Sequence, residues 1–294
     1  MALEPNQIAK IAQIASVLEV SGQPKPGNVH RTRDFDDMVF EDFLLSAVVV
    51  GDIFREACSS INKDKLEEAH LGRYICEAVR ETNKWVETNT NLGIMMMCMT
   101  IACSAAISDS FDELQDNIVK IMDATTVDDA CDLYDAINLA DAGGMGDQDD
   151  FDVNSASAKD ELRANGQTMY DVLEISAGWD RLANELTNGM PVCFEIGYPT
   201  YSKLRETSSL NKSSVLTFLK ILSEVPDTLI SRKYGDEVAE SVSFKTKELL
   251  SCEDDFDIKV KEFDDYLFDN GYNPGTTADL TAASIMLSYL KSEY

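Results

Sequence analysis

Positive charge is scarce in this sequence: 25 Lys and Arg stand against 53 Asp and Glu, a formal net charge of −28. With a pI near 4.2, most of the surface repels nucleic-acid phosphates and anionic membranes, so neither is an expected partner. Histidine is rarer still. His30 and His70 are the only two, and the seven cysteines form no CxxC pair, which argues against a zinc site. The cysteines fall within apolar helical patterns instead, as reduced, buried thiols of a cytoplasmic protein do. A long hydrophobic run is missing too. The most apolar stretch, 92–107, is shorter than the roughly 20 residues a membrane span needs, and it carries Thr100 and Ser104. A buried core helix is expected there. Met1-Ala2-Leu3-Glu4-Pro5 lacks a basic start, so no signal peptide is expected. Gly143-Gly144-Met145-Gly146 lacks the Lys and Ser/Thr of a phosphate-binding P-loop and reads as a helix stop or flexible loop.

Helical periodicity is what the chain has in quantity. With 294 residues and 44% hydrophobic content it can bury a sizeable core. Ile8, Ile11, Ala12, Ala15 and Leu18 repeat at helical spacing, and Phe40 through Phe54 reads as one broad-faced helix. A third helix is expected over 63–88, with Leu66, Tyr74, Ala78 and Trp85 on one face and His70 at its core edge. Further helices are expected over 127–140, 168–186 and 213–225. The acidic, small-residue segment 147–160 reads as a surface loop. Val192 to Tyr198 has strand propensity but runs straight into Pro199, so it is read as helix or coil. No strand alternates with helix, and no repeat or linker interrupts the pattern. The expected fold is all-α, a single compact multi-helix domain of about ten or more helices.

The densest positive charge lies between Pro24 and Ser46. A Pro/Gly turn, Pro24-Lys25-Pro26-Gly27, cannot continue a helix, and after it Lys25, His30, Arg31 and Arg33 stand beside Asp34, Asp36 and Asp37. Cations and carboxylates side by side suit phosphate and metal chemistry; a solvated, salt-bridged loop is the structural alternative. Asn89-Thr90-Asn91 leads into the apolar 92–107 stretch, where free N–H groups of a helix start could meet phosphate or could simply be capped. Asp227-Thr228 opens a helix carrying Arg232 and Lys233, and Thr276-Thr277 opens a last one with Asp279 in its first turn.

KPGNVHR…DFDDM resembles the opening motif of the triphosphoribosyl-dephospho-CoA synthase family, in the version associated with its archaeal branch. NTNLGI (89–94), DLYDAINLADAGGMG (132–146), PDTLISRKYG (226–235) and NPGTTADLTAA (273–283) follow in the family's order, so the resemblance spans nearly the whole chain. It departs at Phe35, where bacterial members carry a His, and at Leu92, where they carry a Lys.

The resemblance implies an enzyme that breaks the N-glycosidic bond of ATP, transfers the triphosphoribosyl group to a hydroxyl of dephospho-CoA and releases adenine. Such chemistry must stabilise an oxocarbenium-like transition state, deprotonate the hydroxyl and neutralise a triphosphate. On that basis Asp36, Asp37 and Asp227 are the candidate catalytic carboxylates. The same three and Asp279 are candidate Mg²⁺ ligands. Lys25, His30, Arg31, Arg232 and Lys233 are candidate phosphate contacts, and Asn89 and Asn91 candidate ribose contacts. Asp36 or Asp37, Asn91, Asp227 and Asp279 are expected to line one cavity. Two alternatives stay open: the same reaction on another acceptor, for which Phe35 and Leu92 are the hints, and a non-catalytic nucleotide-binding protein. Monomer and homodimer are left open as well.

Overall fold

In the computed structural model the apolar periodicity becomes a succession of helices. The first are α1 (Pro5–Val20), α2 (Phe40–Val49), α3 (Gly51–Ser60), α4 (Leu71–Thr82) and α5 (Leu92–Ile107). Next come α6 (Leu114–Asp123), α7 (Val127–Leu139), α8 (Ala158–Asn165), α9 (Met169–Ser176) and α10 (Arg181–Thr187). The last are α11 (Tyr198–Arg205), α12 (Leu210–Glu224), α13 (Thr228–Tyr234), α14 (Asp236–Leu250), α15 (Phe256–Asp269) and α16 (Gly275–Glu293). The structure describes residues 3–140, 153, 155, 157–252 and 254–294. Among them no strand occurs, only isolated bridges His30–Arg33 and Phe35–Met38 in the loop before α2. The fold is all-α. The 143–146 stretch and residues 147–152, 154 and 156 lie outside the described residues, while residues 158–160, expected in a surface loop, form the first turn of α8. No described helix is long and apolar enough to cross a membrane.

α5 explains the arrangement around it. Its residues are apolar on every side, so no face can be left to water, and it is buried almost from end to end. α16, α6, α3 and α4 pack against it. α16 also packs on α1 and α12, which joins the main core to a second apolar cluster. There Val215, Phe218 and Leu222 of α12 meet Ile230, Val242, Phe263 and Leu267 from α13, α14 and α15. Six cysteines are buried, and all seven are free.

The expected helix boundaries shift at three places, each for a local reason. The 40–54 helix divides after Val49, where Gln13 donates to the carbonyl of Val48 at 2.8 Å and its amide fills the space beside Gly51. The 63–88 helix is shorter, because His70 sits in the left-handed region at φ 51° and starts α4 afresh. His70 is exposed, and Trp85, 60% exposed, lies beyond the helix end rather than on its core face. The 168–186 helix is broken after Ser176, and Asp180 caps the new start. Val192 to Tyr198 is helical, entering α11 through a π-helical turn over Cys193–Gly197. Its first donors are taken by the buried Glu185 carboxylate, which accepts from the N–H groups of Val192 and Cys193 at 3.0 Å each.

Candidate functional site

The polar segments that open α5, α10, α13 and α16 surround one cavity of about 290 Å³. Leu92, Gly93 and Ile94 come from the start of α5, Gly275 and Thr276 from the start of α16, and Leu229 from the first turn of α13. Asp180 reaches it from the cap of α10. A helix start carries unpaired N–H groups and the positive end of the dipole; carboxylates cap α10 and α13, so it is the starts of α5 and α16 that offer an anion-attracting lining to a chain that is otherwise strongly negative. Apolar residues also line it, among them Leu133 and Ile137 of α7 and Val172, Leu173 and Ile175 of α9.

Three of the four carboxylates grouped at this point are already committed. Glu19, at the end of α1, is buried and paired with buried Lys25. Burial pushes the Glu19 carboxyl up and the Lys25 ammonium down, each opposed by the charge of the other. Asp180 accepts from Ala183 N at 3.0 Å and pairs with Arg232. Asp227 caps α13, accepting from Leu229 N at 2.9 Å and Ile230 N at 3.1 Å, while Thr277 N and Oγ1 donate at 2.7 Å each to its other oxygen.

The fourth, Asp279, faces the cavity from the second turn of α16, and among the described residues it has no hydrogen-bond or ion-pair partner. Burial, followed by the neighbouring carboxylates Glu19, Asp227 and Asp180, raises its carboxyl well above the usual range; Lys25 acts the other way. Gly93 of α5 makes room for it, since a Cβ there would stand 2.5 Å from the Asp279 carboxyl carbon. An uncommitted carboxyl with a raised pKa in a cavity is suited to proton transfer.

This lining is matched by a wider likeness. The sequence profile described as ATP:dephospho-CoA triphosphoribosyl transferase matches residues 5–294. The chain belongs to this family. A Malonomonas rubra protein named "Probable 2-(5''-triphosphoribosyl)-3'-dephosphocoenzyme-A synthase" is 30% identical over 147 residues, 47% of this chain. The match spans 44% of the length of that curated relative. The crystal structure of a "putative triphosphoribosyl-dephospho-coA synthase" from Archaeoglobus fulgidus shares the fold, with a TM-score of 0.67 at 21% identity over 84% of this chain and 98% of that one.

Of the residues expected to serve a triphosphoribosyl transferase, Asn89, Asn91, Arg232 and Asp279 line the cavity. Asn89 Oδ1 accepts from Leu92 N at 3.2 Å, and Asn91 Nδ2 donates to Thr82 Oγ1 at 2.8 Å. Asp36 and Asp37 are exposed in the loop before α2 and do not reach it. Asp227 lies behind the lining with both oxygens occupied. Lys25 is buried against Glu19, and Lys233 is exposed on the far part of α13. His30 Nε2 meets Asp264 Oδ2 at 3.1 Å, and that carboxylate also accepts from Arg33 Nε at 2.9 Å and Gly27 N at 3.0 Å. Arg31 donates to Ser21 O at 2.7 Å and Asn211 Oδ1 at 2.8 Å. The basic loop is thus pinned to α15 and α12, and its cations are spent on holding it there. Asp279 stands one turn deeper in α16 than expected, because the helix starts at Gly275.

Glu19, Asn28 and Asp180 were not singled out by sequence. Asn28 lies inside the KPGNVHR motif, and its Nδ2 donates to Asn273 Oδ1 at 2.8 Å, joining two motif loops. Asp180, two residues after Gly178 and just before Leu182 and Ala183, carried a readable N-cap signal. Glu19 carried none.

The four carboxylates expected to share Mg²⁺ are not brought together, and the described residues hold no group of three or more side chains suited to a metal ion. Asp279 alone is placed and free to contribute an oxygen. A protein-only Mg²⁺ cage does not fit this donor set.

Proposed function

We propose that this chain transfers the triphosphoribosyl group of ATP to a hydroxyl of dephospho-CoA and releases adenine. The observation that carries the reading is the uncommitted Asp279 carboxyl at a cavity lined by helix starts and amides, in a chain of this family. In the reaction the C1′–N9 bond of ATP breaks and a C1′–O bond to the acceptor forms. The hydroxyl loses a proton and the departing adenine gains one. Asp279, its carboxyl raised by burial and neighbouring carboxylates, is the donor to the adenine ring. Asn89 and Asn91 orient ribose hydroxyls, and the N–H groups of Gly93 and Ile94 in α5 and of Thr276 in α16, which no acceptor among the described residues takes, face phosphate oxygens. Mg²⁺ enters as the companion of the triphosphate, held mainly by phosphate oxygens as magnesium nucleotides are.

Mass analysis of dephospho-CoA after incubation with MgATP tests this: the acceptor gains a triphosphoribosyl group as free adenine accumulates, and EDTA abolishes both. Adenine without a modified acceptor would point to hydrolysis instead. A second reading, the same reaction on a different acceptor, is favoured by Leu92, which lines the cavity where bacterial relatives carry a cation. Adenine release that appears only with another hydroxyl compound would select it.

A further inference from the structure

One wall of the cavity carries an aromatic side chain that the proposed chemistry has not used. Trp179 lies in the turn between α9 and α10, where Trp179 N and Asp180 N both donate to Ser176 O, at 3.0 and 2.8 Å. The turn is therefore ordered, and the indole is presented from a fixed backbone. It lines the cavity yet is 39% exposed, and Ile175, one helical turn earlier, is 50% exposed on the same lining. Among the described residues the indole has no stacked ring, no cation over its face and no hydrogen bond to Nε1. The other tryptophan, Trp85, donates to Glu81 Oε1 at 3.3 Å and stands outside this cavity.

Leaving a tryptophan and an isoleucine half in water at a cavity mouth costs burial energy that a ligand recovers. The ligand's chemistry follows from what surrounds them. Leu133, Ile137, Val172 and Leu173 continue the apolar wall, and Asp180, the residue next to Trp179, is already paired with Arg232, so among the described residues nothing beside the indole offers a phosphate a free cation. A flat, uncharged ring with apolar faces fits such a wall, and a purine stacks on an indole in this way.

We propose that Trp179, backed by Ile175, is the stacking platform for an adenine ring bound at this cavity. Both proposed substrates, ATP and dephospho-CoA, carry adenine, so the choice of ligands rests on the transferase reading, while the platform rests on the geometry. The chain has two tryptophans, so Trp85→Phe leaves Trp179 as the sole indole reporter.

The test titrates the Trp85→Phe protein with adenosine, MgATP, dephospho-CoA, pantetheine and tripolyphosphate, following tryptophan emission, with calorimetry as an independent measure of binding. The expected result is saturable quenching by adenine-bearing ligands and none by pantetheine or tripolyphosphate. Quenching by MgATP alone assigns the platform to the donor, and quenching by dephospho-CoA alone assigns it to the acceptor. In the otherwise unaltered chain, Trp179→Ala weakens binding of the quenching ligand roughly 5- to 150-fold, the equivalent of ~1–3 kcal/mol per stacked base, and Trp179→Phe stays close to the parent. Calorimetric binding of adenine ligands without any change in emission, no binding of any adenine ligand, or equal affinity after Trp179→Ala would each overturn the proposal. Quenching without adenine release would instead refute the transferase reading and leave the platform standing.

Discussion

The Cα of Gly93 lies so close to Asp279 that an added methyl would stand 2.5 Å from its carboxyl carbon and 2.8 Å from Leu182 Cδ1. The first turn of α5 and the second turn of α16 meet here with no room for a side chain. Gly93→Ala must displace the carboxyl or push the helices apart. The expected outcome is a stability loss of ~1–3 kcal/mol, typical of overpacking, with a fall of about 10²-fold in kcat from the misplaced group. Melting curves and steady-state kinetics check this. Unchanged kcat would mean that the position of Asp279 is immaterial.

Lys25 was expected from sequence to contact phosphate, but its ammonium is buried against Glu19. Removing one charge strands the other in the interior. Glu19→Gln or Lys25→Met alone should cost ~3–5 kcal/mol, and the double substitution Glu19→Leu with Lys25→Met much less than the sum. A double-mutant cycle by denaturant unfolding measures the coupling. A stable Lys25→Met protein with weakened ATP binding would restore the phosphate-contact role.

Asp279 also sets a pH dependence. Its folded-state carboxyl is raised by burial and by Glu19, Asp227 and Asp180, with Lys25 opposing; the Cys98 thiol also stands near this group, and Arg232 pairs with Asp180. A group raised on folding contributes stability that is fully present below its unfolded value and is lost as pH rises through the folded one. Removing the titration should therefore help most at high pH. Asp279→Asn is expected to melt close to the parent near pH 4 and progressively above it towards pH 8, at ~2–4 °C for each kcal/mol gained. A constant difference in melting temperature across that range would contradict the assignment.

With a formal charge of −28, the folded chain repels itself, and the repulsion acts over a screening length of about 10 Å at 0.1 M salt but about 3 Å at 1 M. Raising KCl between those concentrations should raise the melting temperature by several degrees. A salt-independent melt would show that the acids are balanced locally by the ion pairs.

Much of the helical fold was legible because apolar spacing states it directly, and α5 begins at Leu92 and ends at Ile107, the limits of the apolar run. The breaks at Val50, His70 and 177–180 were not legible, since each depends on a tertiary partner or a left-handed backbone that periodicity does not record. Of the residues expected to line one cavity, Asn91 and Asp279 do, whereas Asp36, Asp37 and Asp227 do not. The separation of roles was not legible. A motif rich in Asp, Arg and His looks catalytic in sequence, yet His30, Arg31 and Lys25 fasten the loop, and Asp36 and Asp37 face solvent. Which carboxylate is free is a matter of which hydrogen bonds are already made, and only the folded chain displays that.

The central claim is that Asp279 passes the proton on which adenine departure depends. The direct measurement is adenine formed in a single turnover from MgATP and dephospho-CoA, resolved chromatographically, for the parent and Asp279→Asn across pH. The account predicts a parent rate that falls as pH rises through the raised carboxyl, and an Asp279→Asn rate lower by about 10²- to 10⁴-fold and flat across the same range. Adenine released by Asp279→Asn at the parent rate, with the parent's pH profile, would contradict it.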